Sequence, residues 1–132
     1  LIAGGQPDGI SIRNNLKKEA SEEAGLNAYH MNPAVKGSNV HYMHNERKNF
    51  NSAIIFNYHL EKKSDMKFMN QDGEVDDFLS IDIENLYKIL EKGLLKPNCI
   101  IPILDFLIFK KGDFISKKVI LEIKKIFKKN ET

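Results

Sequence analysis

Residues Ala3–Leu26 read AGGQPDGISIRNNLKKEASEEAGL, a glycine-bearing turn that runs into a carboxylate-dense helical pattern. At about 3.6 residues per turn, Glu19, Glu22 and Glu23 stand at i, i+3 and i+4 and share one face. Like charges at this spacing destabilise a helix by roughly 0.2–0.5 kcal/mol per pair. A divalent cation would offset that repulsion, because hard cations such as Mg²⁺ take oxygen ligands and keep positions open for water and phosphate. Three glutamates alone also describe a solvated acidic helix face. The flanks favour a site. Gly4, Gly5 and Gly9 let backbone pass close to a ligand. Gly25 follows the acidic cluster, where a glycine stops a helix. Leu16, Ala20 and Ala24 supply the apolar side.

This stretch resembles the Nudix box, a glycine-led loop and helix. The box ends in a basic residue, Glu, an apolar residue, any residue, Glu-Glu, any residue, Gly and an apolar residue. That ending stands here as Lys18, Glu19, Ala20, Ser21, Glu22, Glu23, Ala24, Gly25, Leu26, with Gly4 at the leading glycine. Two positions depart from the pattern. Ile10 occupies the place of the first glutamate and Lys18 that of the arginine. In the family these two form a supporting ion pair, so their joint loss bears on efficiency more than on fold. Lysine keeps the charge without the bidentate fork, and Asn14, one turn earlier, is expected to share the support.

The chain has 132 residues, 42% of them hydrophobic, which suits one domain with a buried core. A net charge of +2 does not by itself argue for nucleic acid or a membrane surface. The single cysteine, Cys99, excludes an internal disulfide and fits a reducing, cytoplasmic setting. No apolar run approaches the roughly 20 residues of a membrane span. The chain opens on Leu1-Ile2-Ala3, which reads as the end of a strand, so a domain lacking its N-terminal strands is expected.

Taken in order, a helix is expected from Ser11 or Arg13 to Ala24, with Ser11 as N-cap. A short helical turn at Asn27–Asn32 ends at Pro33. Val35–His44 and Ser52–Glu61 form a hairpin around a polar loop, Asn45–Asn51. After a loop at Lys62–Gly73, Glu74–Ser80 reads as strand. Asp82 caps a helix, Ile83–Lys92. Pro97 opens another, Asn98–Phe109, apolar nearly all round and therefore buried. A last helix, Ser116–Lys129, has a lysine-rich face that suits solvent. Alternating strand and helix patterns imply an α/β fold, and with the resemblance a Nudix-like α/β/α sandwich with a mixed sheet.

A second resemblance is to the Nudix branch associated with thiamine pyrophosphokinase. It rests on Gly4-Gly5-Gln6-Pro7, Lys18-Glu19-Ala20, Asn70-Gln71-Asp72-Gly73-Glu74-Val75, Lys96-Pro97-Asn98-Cys99 and Asp105-Phe106-Leu107. It implies a pyrophosphatase that cuts a diphosphate carried on an organic group, here thiamine diphosphate or its damaged oxo and oxy forms. The implied cofactor is Mg²⁺ or Mn²⁺ on Glu19, Glu22 and Glu23, with Glu22, Glu23 or Glu74 activating water. Lys18 is expected to orient Glu19. Gln6, Lys18, Tyr42, Tyr58, Gln71, Lys96 and Asn98 are the candidates for substrate binding. The tyrosines, with Phe56, would offer faces to the organic group, and Lys96 and Asn98 stand at a helix start that could take phosphate. Asn57, Gln71 or His41 could read a carbonyl or hydroxyl. The tyrosines and Phe56 serve equally well as core, Lys96-Pro97 as a plain helix start, and Glu74 as a plain strand-end residue. The four histidines lack zinc-like spacing. ADP-ribose or another nucleoside diphosphate derivative is an alternative substrate, and a non-catalytic ligand-binding domain is an alternative role. The partner is a small molecule rather than nucleic acid or membrane; monomer and homodimer are both compatible.

Overall fold

The computed structural model describes residues 1–46 and 49–110, with residues 117 and 121. It is of the α/β class. The chain divides into two compact units, Leu1–Val35 with Leu60–Ser80, and Lys36–His59 with Ile81–Thr132.

In the first unit α1 spans Ile12–Ala24. Ser11 caps it, its Oγ accepting from the Asn14 N–H at 3.2 Å. It stops at Gly25, whose φ of 67° is the left-handed conformation that costs glycine least. The Gly25 N–H donates to the Ser21 carbonyl and the Leu26 N–H to that of Ala20, so the last turn closes on itself. A four-residue helix, α2, Ala28–Met31, begins with a capping box between Asn27 and His30. The core gathers Ala20, Ala24, Leu26, Met31, Ala34 and Met66, with Ile2, Leu16, Leu60, Phe68 and Phe78 half-buried around it. Two ties hold the returning chain to α1. The Arg13 guanidinium donates to the carbonyls of Asn32 (2.6 Å) and Ala34 (3.2 Å). Met69 and Gln71 give their N–H groups to the carbonyls of Ala24 and Glu22.

The strands β1, Val35–Glu46, and β2, Asn49–His59, pair as a hairpin that belongs to the second unit from Lys36 onward. Both run further into the expected polar loop than its composition suggested, because backbone groups make the ladder and polar side chains do not prevent it. The helices α3, Ile83–Glu91, and α4, Pro97–Phe109, lie where expected, α3 capped by Asp82. Buried Asp105 joins α4 to the hairpin. Its Oδ2 meets His59 Nε2 at 2.7 Å, and the Ser38 N–H donates to its Oδ1 at 3.2 Å. A Cβ at Gly37 would overlap the Asp105 carboxylate, so glycine is needed for the close approach.

Two expected strands are corrected. Leu1–Ala3 is not a strand, and the Ala3 N–H goes to a side chain of α1. Glu74–Ser80 is irregular because side chains take its backbone groups: Asp72 accepts from the Glu74 N–H, Asp77 from the Phe78 N–H, and Asn70 donates to the Val75 carbonyl. Of the mixed sheet, the described residues therefore show the β1–β2 hairpin alone. The last expected helix lies outside the described residues, except for Lys117 and Leu121, which are helical.

Among the described residues Leu26 has the largest fully buried side chain, directly after the Gly25 stop. Leu26→Ala should lower unfolding free energy by about 2–5 kcal/mol, read as a lower denaturant midpoint at unchanged slope.

Candidate active site

The site is built on one stripe of α1. Asn15, Glu19 and Glu23 are spaced by four residues, one above the other. Against them the entering chain runs the opposite way. The Ala3 N–H donates to Glu23 Oε2 at 3.1 Å. The Glu19 carboxylate lies against Gly4 so closely that a Cβ there would overlap it. Asn15 Nδ2 donates to the Gly5 carbonyl at 2.9 Å. Ala3, Gly4 and Gly5 thus form a backbone strap with one helix side chain under each residue.

Glu22 points elsewhere. Lys18 Nζ lies 2.7 Å from Glu22 Oε2 and 3.3 Å from Glu19 Oε1. Hydrogen bonds to Glu22 and then Glu19 raise the Lys18 pKa, so the ammonium stays charged throughout the neutral range. Lys18 is therefore nearer Glu22 than the Glu19 it was expected to orient. Asn14, expected to share that support, is bonded through its backbone N–H to the Ser11 cap.

Glu23 is 7% exposed and has no cation beside it in the described structure. Burial pushes its carboxyl above the usual glutamate range, and the charges of Glu19, Asp72 and Glu74 push the same way against the Ala3 N–H. Asp72 and Glu74 come from an Asx-turn loop. Asn70 Oδ1 accepts from the Gly73 N–H at 2.9 Å and Asp72 Oδ1 from the Glu74 N–H at 2.9 Å. That loop is carried to α1 by the Gln71 N–H on the Glu22 carbonyl, at 3.2 Å.

A hard divalent cation suits this donor set, which is all oxygen and carries surplus negative charge around Glu23. Among the described residues no three carboxylates stand close enough to chelate one ion as they are. Glu22 is 47% exposed and held by an equally exposed Lys18, so turning it inward breaks only a surface pair, of a kind worth about 0–1 kcal/mol.

The first unit thus brings Lys18, Glu19, Glu22, Glu23, Gln71 and Glu74 to one helix and its covering loop. Gln6 closes its own turn, donating to the carbonyls of Pro7 and Ile10. The remaining candidates belong to the second unit. Tyr42 and Tyr58 are half-buried on β1 and β2. Lys96 is the N-cap of α4 without a side-chain cap bond, and Asn98 is exposed in its first turn. Asn57 is buried and donates to the Ser38 carbonyl, while His41 is bonded to Ser52. Asn15 and Asp72 had not been singled out. Asn15 was legible as the polar residue one turn before Glu19 on the same stripe, and Asp72 as a second carboxylate in the Gln-Asp-Gly-Glu segment.

No family model matches the chain. It is similar to two curated proteins of Arabidopsis thaliana. It is 40% identical over 113 residues to Nudix hydrolase 24, chloroplastic, and 38% identical over 113 residues to Nudix hydrolase 20, chloroplastic. Each match covers 85% of this chain, and the chain spans 31% and 30% of the respective relatives.

A raised Glu23 pKa has a definite sign in stability. The folded protein holds that proton more tightly than the unfolded chain, so ionisation costs stability. The cost is absent below the ordinary glutamate pKa of about 4.3, grows as pH rises towards the folded value, and is constant above it. Glu23→Gln keeps an acceptor for the Ala3 N–H and removes the charge. With chelator present its Tm should exceed that of the parent at pH 7, and the difference should vanish at about pH 4, as read by thermal melts across pH.

Proposed function

We propose that the chain carries a Nudix-type diphosphate hydrolase activity dependent on Mg²⁺ or Mn²⁺. The observation that carries it is the strap of Ala3 and Gly4 over Glu23 and Glu19, beside Glu22 and with Asp72 and Glu74 facing it, in a stretch that runs as a Nudix box. The similarity to proteins named Nudix hydrolases supports the same reading.

Glu19, Glu22 and Glu23 would hold the metal. When bound, it neutralises phosphate oxygens and lowers the pKa of water. The reaction adds water to phosphorus and breaks one phosphoanhydride bond, leaving the organic monophosphate and phosphate. Glu74, on the covering loop, or one of Glu22 and Glu23 takes the proton of the attacking water. Lys18 holds Glu22 until the substrate complex needs it.

For the substrate we infer thiamine diphosphate, with preference for its oxo and oxy forms. The support is the segment set around Gln6, Gln71, Glu74 and Lys96 rather than the box, which selects no organic group. Gln71 is tied to the glutamate helix through its backbone, its N–H bonded to the Glu22 carbonyl, and its side-chain amide lies beside Gly25 at the end of that helix. A polar partner of this kind can reject an analogue lacking the matching group by about 10⁴ or more, whereas apolar size selection gives about 10–200-fold. A second reading, a ligand-binding domain without turnover, is favoured by the Lys18 hold on Glu22.

Glu22→Gln and Glu23→Gln should each lower kcat/KM by more than about 100-fold, beyond the cost of losing an outer-shell partner of a metal, while the proteins stay folded. The substrate is decided by kcat/KM for normal and damaged thiamine diphosphates against ADP-ribose, with Mg²⁺ and after chelation. Damaged forms are expected to lead. Faster turnover of ADP-ribose would remove the thiamine assignment and keep the hydrolase. Metal binding without turnover of any diphosphate would favour the binding domain.

A further inference from the structure

Asn15 is an anomaly for a helix of this kind. It is 5% exposed, deep in the first unit. Its orientation is fixed, because only the amide nitrogen can donate to the Gly5 carbonyl. Its Oδ1 is then left buried with no hydrogen-bond partner among the described residues. A buried acceptor without a donor costs about 1–3 kcal/mol. An apolar residue would fill this position without that cost, as Ala20 and Ala24 do on the neighbouring face. The orphan therefore stands where a donor is expected from outside the chain.

Its place on the helix says what kind of donor. Asn15 is one turn from Glu19 and two from Glu23, in line with both. It holds Gly5 as Glu23 holds Ala3, with the Glu19 carboxylate packed against Gly4 between them. A hydrated divalent cation brings water, and its water molecules are hydrogen-bond donors. An acceptor at the end of a carboxylate stripe suits that water shell.

We propose that Asn15 is a positioning residue of the metal site. Its amide NH₂ pins the glycine strap over Glu19, and its Oδ1 accepts a hydrogen bond from water on the bound cation. The proposal rests on the metal-dependent reading above. It separates function from stability, because the group that assists the metal is a burden to the metal-free fold.

Asn15→Leu tests it, being similar in size and apolar. Calorimetric titration with Mn²⁺, well below the Tm of each protein, is compared with chelated thermal melts. Expected is affinity about 10–100-fold weaker, the cost of an outer-shell partner, with a metal-free Tm equal to or above that of the parent. Unchanged affinity overturns the role of Asn15 while leaving the metal site standing. A parent that binds no Mn²⁺ overturns the metal reading itself, and this proposal with it. If Asn15→Leu does not fold, Asn15→Ser, too short to reach Gly5 from the same backbone, is judged by the same affinity criterion.

Discussion

Glutamates on one helix face cannot move apart, so the first unit has to accommodate their repulsion. It does so unequally. Glu22 and part of Glu19 are met by Lys18 at the surface, where solvent screens the pair. Glu23 is drawn inward and receives a single backbone N–H. Keeping Glu23 buried requires the strap to lie close to α1, which is possible because Gly4 has no side chain. It also requires the neighbouring face to pack tightly, and Ala20 and Ala24 are fully buried there. The returning loop adds Asp72 and Glu74 to the same charge. A fold optimised for stability alone would have little reason to place three further carboxylates around a buried one, and such concentrations of strain are expected at functional sites.

The α1 boundaries were legible because local signals agree there. Ser11 offers a cap, Gly25 a stop, and the apolar residues between them recur at helical spacing. The same holds for the caps of α3 and α4, Asp82 and Lys96-Pro97. The strand expected at Glu74–Ser80 failed for a physical reason also present locally. Asn70, Asp72 and Asp77 each bond to nearby backbone, and that competes with a ladder. β-forming residues such as Val75 and Phe78 outweighed those polar residues in the expectation, although strand preference depends on context.

At the site, residue types were legible and directions were not. Spacing placed Glu19, Glu22 and Glu23 on one face, but whether Lys18 meets Glu19 or Glu22 depends on rotamers. Asp105 is a similar case in the second unit. Periodicity marks Asn98–Phe109 as apolar, and nothing in that segment announces that His59, 46 residues earlier, will take up its carboxylate. A pairing across that distance is a property of the fold rather than of the segment.

The alternation of the two units along the chain has a consequence for synthesis on the ribosome. The first unit uses Leu1–Val35 and then Leu60–Ser80, and the second unit supplies what lies between. The glutamate helix therefore emerges long before Met66 and the Met69–Gln71 segment that cover its end. The hairpin emerges next and waits for Asp105. Neither unit can finish from an uninterrupted piece of nascent chain, and each closes by joining residues far apart in sequence, which slows folding. Both leave apolar surface open while the next stretch is made, a condition that favours aggregation and engages chaperones. A gene cut at Leu60 would yield a helix with its carboxylates in place and nothing to cover its last turn.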